Sequence, residues 1–201
     1  EWGAVAYLSK SKYGKETEEV WINNSSSYIT GSAGDSASAV TDKGTTNDYT
    51  SEQGARASTT GNVYGIYDMS GGAWERVAAY VDNANLNLTT HGNSLYTSTD
   101  VRTKNVYTAG SGDTRLANYN ANASKYGDTV YETSSGTYNS SGDANNQSWH
   151  GDYSYFPYSS QPFLYRGGDY NDSVIAGLFC FGSSEGDTKN YHSFRPVLVT
   201  F

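Results

Sequence analysis

Tyr64-Gly65-Ile66-Tyr67-Asp68-Met69-Ser70-Gly71-Gly72-Ala73-Trp74-Glu75 is the most structured stretch of the chain, and it runs on through Arg76 and Val77 to Val81. Gly71-Gly72 lets the backbone turn tightly and pass close to another segment. The aromatic and β-branched residues on either side then read as a turn followed by a strand. Asp68 and Glu75 flank the turn. Two carboxylates beside exposed backbone carbonyls supply hard oxygen donors, which calcium prefers. The same residues admit a metal-free reading, with Asp68 capping the turn and Glu75 paired with an arginine such as Arg195. Trp74 reads as core packing, because large aromatics dominate core energetics.

Outward from this stretch the chain alternates short patterned pieces with long polar ones. Trp2, Val5, Ala6 and Leu8 fall at helical spacing from Glu1 to Leu8, which predicts a short amphipathic helix. The pattern is already running at the first residue, so we expect sequence upstream of Glu1. Val20-Trp21-Ile22 predicts a short strand, and Ser, Gly, Thr and Asp from there to about residue 60 predict loop. Residues 83–112 are polar. Leu116, Tyr119, Ala123, Tyr126 and Val130 recur at three or four residues and predict a second helix. A Gly/Ser/Asn stretch follows to about Tyr153, and from Phe156 to Phe201 short apolar runs alternate with Gly-rich turns, which predicts β structure. There is no repeat of fixed period, and the Gly/Ser-rich segments separate pieces too small to bury cores of their own. The expectation is one domain over residues 1–201.

Composition narrows the function. The 201 residues include 13 Lys and Arg against 21 Asp and Glu, a net charge of −8. This argues against nucleic acid as a partner, since phosphate recognition needs clustered positive charge. No apolar run approaches the roughly 18 residues of a membrane span, so direct membrane insertion is not expected. The single cysteine, Cys180, excludes an internal disulfide and a zinc site built on a cysteine pair. Nineteen tyrosines beside abundant Ser, Thr, Asn and Gly fit two readings. One is a binding surface, where Tyr gives contact area at low entropic cost. The other is an extracellular β-rich adhesin, with Tyr on pleated surfaces and Asn and Gly in turns.

Three segments together resemble the formylglycine-generating-enzyme family, a branch of the C-type-lectin fold. Glu1-Trp2-Gly3-Ala4-Val5-Ala6 is similar to its Glu-Trp-containing first helix. Residues 64–75 resemble its Gly-Leu-x-(Asn/Asp)-(Met/Ile)-x-Gly-Asn-x-Trp-Glu-Trp hallmark. Arg166-Gly167-Gly168, Ala176-Gly177 and Ser193-Phe194-Arg195-Pro196-Val197 resemble its Arg-Gly-Gly to Gly-Phe-Arg ending. The resemblance implies an α+β lectin-like domain with two helices, small antiparallel sheets and extensive irregular loops, which here lacks its N-terminal part. It also implies a structural calcium held by the side chains of Asp68 and Glu75 and the backbone oxygens of Gly71 and Ala73. The generators' paired cysteines are missing, and His91, His150 and His192 lie apart, without metal-ligand spacing. A non-catalytic role is expected.

The segment 163–198 further resembles the variable region of retroelement-diversified proteins, which include phage tropism determinants and pilin-like surface proteins. In these, adenine-directed mutagenesis of Asn-type codons scatters a restricted set of residues over a ligand-binding face. The positions fitting that set are Tyr165, Asp169, Tyr170, Asn171, Asp172, Val174, Ile175, Cys180, Ser183, Ser184, Asp187, Thr188, Asn190, Tyr191 and His192, whereas Glu185 and Lys189 need a different codon. Gly167-Gly168, Ala176-Gly177 and Phe194-Arg195-Pro196 would hold the backbone while the side chains change. Cys180, between two phenylalanines, also reads as a small buried hydrophobe. Arg166 and Arg195 read as structural, each fixing carbonyls or carboxylates through several hydrogen bonds. The implied function is binding of a protein or glycan receptor, with the domain outside the cell, on a cell surface, pilus or phage particle. The rival is a structural subunit of an extracellular filament or adhesin.

Overall fold

A computed structural model describes residues 1–34, 47–135 and 146–197. Parts of the two predicted loops, and residue 198 at the end of the predicted variable segment, lie outside the described residues. The fold is α+β. Its order is α1 (Trp2–Ser9), β1 (Trp74–Asp82), α2 (Leu86–Thr97), β2 (Asn105–Thr108), α3 (Arg115–Ala121), α4 (Thr129–Glu132), β3 (Phe163–Arg166), β4 (Phe181–Ser184) and β5 (His192–Ser193).

β1 is the spine of one five-stranded mixed sheet ordered β2-β1-β3-β4, with β5 also paired to β1. β1 runs parallel to β2 and β5 and antiparallel to β3, which pairs antiparallel with β4. The expected small antiparallel sheets are therefore a single mixed sheet. The long crossovers from β1 to β2 and to β5 permit parallel pairing, which a hairpin cannot. Alternation along β1 divides the core. Ala79 and Val81 face one side with Tyr107, Tyr119, Val130, Phe156, Leu164 and Phe181. Tyr80 faces the other with Leu88 and Phe163. α2 thus covers one face of the sheet and α3 with α4 covers the other.

Among the described residues four α-helices form where two were expected. α1 matches its prediction, with Ala6 buried beside Val20, Met69, Leu178 and Phe179, although Leu8 is exposed. The second expected helix is broken into α3 and α4, because Asn122 ends α3 and Gly127 takes a positive φ of 77°. Tyr126, counted in its apolar stripe, is 96% exposed. α2 lies in the stretch read only as polar. Asn85 starts it by accepting a hydrogen bond from Asn87 N, and Gly92 interrupts it with non-helical angles. Val20-Trp21-Ile22 forms no strand. Its backbone is tied singly instead, with Trp21 N donating to Arg56 O at 3.1 Å and Asn23 bridged to Gly71.

Candidate functional site

Gly71 and Gly72 both adopt positive φ, at 74° and 72°, where glycine carries no Cβ penalty. The turn they make lies against Asn23, with Asn23 N donating to Ser70 O at 2.8 Å and Gly72 N donating to Asn23 O at 2.7 Å. Three further backbone bonds run from this turn to the carboxyl-terminal quarter. Gly71 N donates to Gly167 O at 2.9 Å, Tyr170 N to Gly72 O at 2.9 Å, and Trp74 N to Tyr191 O at 2.9 Å. The loops 167–180 and 185–191 are thereby pinned by main-chain groups whose geometry is independent of the side chains they carry.

The charged groups at the turn satisfy one another. Glu75 is buried, and Arg195 grips it through both arms of the guanidinium, Nε reaching Oε2 at 2.5 Å and Nη2 reaching Oε1. Nη2 also donates to the carbonyls of Tyr67 at 3.0 Å and Asp68 at 3.2 Å. The neighbouring carboxylate holds the arginine pKa above its ordinary value. Asp68, at a φ of 60°, accepts from Asn23 Nδ2 at 2.8 Å and from Gly31 N at 3.0 Å. Of the residues implied to hold calcium, Asp68, Gly71, Ala73 and Glu75, Arg195 thus takes both carboxylate oxygens of Glu75, while the carbonyls it reaches are those of Tyr67 and Asp68 rather than of Gly71 and Ala73. With both Glu75 oxygens bound to Arg195 and Asp68 accepting from Asn23 and Gly31, those residues do not fit a metal cage in this arrangement. Among the described residues no cluster of three or more His, Cys, Asp and Glu side chains is placed to hold a metal.

The fifteen positions nominated in the variable segment divide by burial. Asn171, Val174, Thr188 and Asn190 are exposed, and Tyr165, Tyr170, Asp172, Ile175, Asp187, Tyr191 and His192 are half-buried. Cys180, Ser183, Ser184 and Asp169 are buried. Cys180 is wholly enclosed, and burial pushes its thiol well above the ordinary range, so it behaves as a packed hydrophobe. Ser183 sits within β4, its hydroxyl donating to Gln161 Oε1 at 2.8 Å. Asp169 Oδ1 accepts from Asn171 N at 2.7 Å, so its role is to shape the loop. Burial raises Asp172 to about 6, although Asp169 N donates to its carboxylate at 2.7 Å.

The half-buried members meet aromatic partners outside the segment. Tyr165 stands edge-on to Trp74, with ring centroids 4.0 Å apart, and lies 5.5 Å from His192. Tyr170 meets Tyr28 edge-to-face at 5.5 Å. His192 Nδ1 faces Arg76 Nη2 at 2.8 Å, which makes Nδ1 the acceptor, and burial together with this arginine lowers the imidazole pKa. Arg76 also donates to Asp187 O, and Lys189 pairs with the Asp187 carboxylate at 2.6 Å. Tyr28 and Arg76 are thus part of the surface without having been nominated. Arg76 directly follows Trp74-Glu75 and could have been counted with them. Tyr28 lies in a Ser-rich stretch with no pattern to mark it.

No family model, curated protein or solved structure matches the chain. Arg166 departs from its expected role. It is buried over the rings of Trp2 and Phe181, at 5.6 and 5.8 Å, and its Nη1 meets no hydrogen-bond partner. It supports the sheet through cation–π contact rather than through a set of fixed hydrogen bonds.

Proposed function

We propose that this chain is a non-catalytic receptor-binding domain of the lectin-like, formylglycine-generating-enzyme-like type. Its carboxyl-terminal loops form the binding face and are diversified by a retroelement. The observation that carries the reading is the backbone pinning of the loops at 167, 170 and 191 onto the Gly71-Gly72 turn and β1. A loop held by its main chain tolerates exchange of its exposed side chains, so specificity changes without refolding. Exposed Asn171, Thr188 and Asn190 beside half-buried Tyr170 and Tyr191 give the mix of short polar and aromatic contacts that suits protein or glycan recognition. Display outside the cell, on a cell surface, pilus or phage particle, follows from that role.

A binding screen against surface proteins and glycans tests this. It compares the chain with a variant in which Tyr170, Asn171, Thr188, Asn190 and Tyr191 are all alanine. Binding that disappears in the equally folded variant supports the reading, whereas binding that survives removes these loops as the site. Concentration-dependent polymerisation without binding would favour a filament subunit. The diversification claim has its own test in the adjoining genome. A template repeat that differs from the coding copy at adenines, with a reverse transcriptase nearby, is expected there, and a genome lacking both sinks the claim.

A further inference from the structure

Beside the pinned loops, and lined by none of their exposed side chains, is an open pocket of about 250 Å³. Asp68, Asn23 and Arg195 lie at its polar side, and Tyr28, Thr30 and Phe194 also line it. Phe194 is 76% exposed, so its ring face is open to a ligand in the pocket. The Arg195 Nη1 group and the hydroxyls of Thr30 and Tyr28 hydrogen-bond to no described residue. The second carboxylate oxygen of Asp68 receives only a long 3.3 Å bond from Gly31 N. Open donors and open acceptors therefore converge beside aromatic surface.

We propose that this pocket binds a single uncharged sugar ring directly, without a metal. The charges decide against the other ligand classes. Arg195 already fills the cationic position, so a basic side chain entering here meets a guanidinium. An anion meets the carboxylates of Asp68 and Glu75 on a chain of net charge −8. An apolar ligand would desolvate at least four polar groups without pairing them. A pyranose answers each requirement. Its hydroxyls both donate and accept, which matches Arg195 Nη1 and the Asp68 carboxylate, and bonds to such charged groups are the stronger ones. Its C–H face packs on the negative face of an aromatic ring. The volume lies just below the roughly 300 Å³ at which pockets for larger ligands begin, which limits the occupant to one ring.

This inference deepens the receptor-binding reading by naming a glycan end as one thing the face meets, and rests on it in that respect. The Tyr28–Tyr170 contact makes the pocket rim continuous with the loops. The test titrates the whole chain with the methyl glycosides of glucose, galactose, mannose and N-acetylglucosamine, followed by saturation-transfer and chemical-shift NMR. At least one should bind with a Kd of ~1 mM. Phe194→Ala should weaken it at least tenfold with folding intact, because that ring is exposed, and Thr30→Ala should weaken it severalfold. A loop variant with only Asn171, Thr188 and Asn190 changed to alanine, which keeps the Tyr28–Tyr170 contact, should bind the glycoside as the parent does, so a failed receptor screen leaves the pocket standing. No binding at ~10 mM of any of the four, binding indifferent to Phe194→Ala, or binding that requires added calcium would each overturn the proposal.

Discussion

Arg195 neutralises the buried Glu75 carboxylate, one of the groups implied to hold a divalent ion. Its guanidinium closes on the buried Glu75 and on the carbonyls of Tyr67 and Asp68, tying the last strand region to the hallmark turn. Removing one partner of such a pair leaves an uncompensated buried charge. Arg195→Ala should therefore cost about 3 to 5 kcal/mol in urea unfolding. Arg195→Lys should recover only part of this, because an ammonium cannot reproduce the two-armed grip. Replacing both partners, Glu75→Gln with Arg195→Met, should be milder than Arg195→Ala, and a double variant as unstable as the single one would refute the pairing. Millimolar calcium should leave the parent Tm unchanged, since a ligand stabilises only the state it binds. A rise abolished by Asp68→Ala would restore the cation. The sequence marked these residues, Asp68, Glu75 and Arg195, because paired carboxylates beside a glycine turn are conspicuous. It could not choose between metal and arginine, because that choice depends on which distant side chain arrives.

At the scale of elements, local signals decided what was legible. α1 and β1 read correctly because their apolar residues recur at regular spacing. α2 did not, since its buried contacts rest on Leu88, with Leu95 and Tyr96 packed at the edge, and Gly92 breaks the helix between them. That glycine is required by a residue far along the chain, as a Cβ there would lie 2.5 Å from the Phe163 ring. Gly92→Ala should destabilise the protein despite its better helix propensity, and a gain in stability would show the packing to be looser than described. Asn85 carries the start of α2. Its side chain accepts from Asn87 N at 2.7 Å and donates to Ser159 O at 2.7 Å. Asn85→Ala should cost about 1 kcal/mol by denaturation, while Asn85→Asp, which keeps the cap and loses the donor, should cost less. In the candidate site the sequence nominated a segment but could not read the burial within it. Cys180, Ser183 and Ser184 share a composition with exposed neighbours, and it is the pairing of β3 with β4 that buries Ser183 and Ser184, with Cys180 enclosed at the residue just before β4.

Across the whole molecule, one buried carboxyl group links the first helix region to the loop before β4. Asp152 is fully buried, its Oδ2 accepting from Phe179 N at 2.9 Å, and a Cβ at Gly177 would collide with its carboxyl group. Asp152 and Glu19 each raise or lower the other's titration, and a buried oxygen on each, Asp152 Oδ1 and Glu19 Oε1, meets no hydrogen-bond partner. A proton shared between the two carboxyl groups would satisfy both. Burial raises Glu19 to about 7, against the lowering effect of Lys10 and Lys15, and raises Asp152 well above its ordinary range, with Glu19 adding to it and Arg166 opposing. The buried Cys180 thiol faces the same group. The folded protein therefore holds a proton that the unfolded chain releases above about pH 4.5, and stability must fall as pH rises from there through about 7. His150, 2.8 Å from Lys10 Nζ, and His192 act in the opposite sense. Their lowered values make the fold lose stability as pH drops below the ordinary histidine range. Glu19→Gln separates the two effects, since its amide donates permanently where the shared proton did. Tm measured from pH 4.5 to 8 should decline as Glu19 and Asp152 ionise in the parent, while the variant loses the Glu19 part of that decline and keeps the histidine-driven rise. Identical profiles would mean that the two carboxyl groups share no proton. Because Asp152 holds the turn at 177–180, the same titration should raise amide exchange at Phe179 before the rest of the sheet responds.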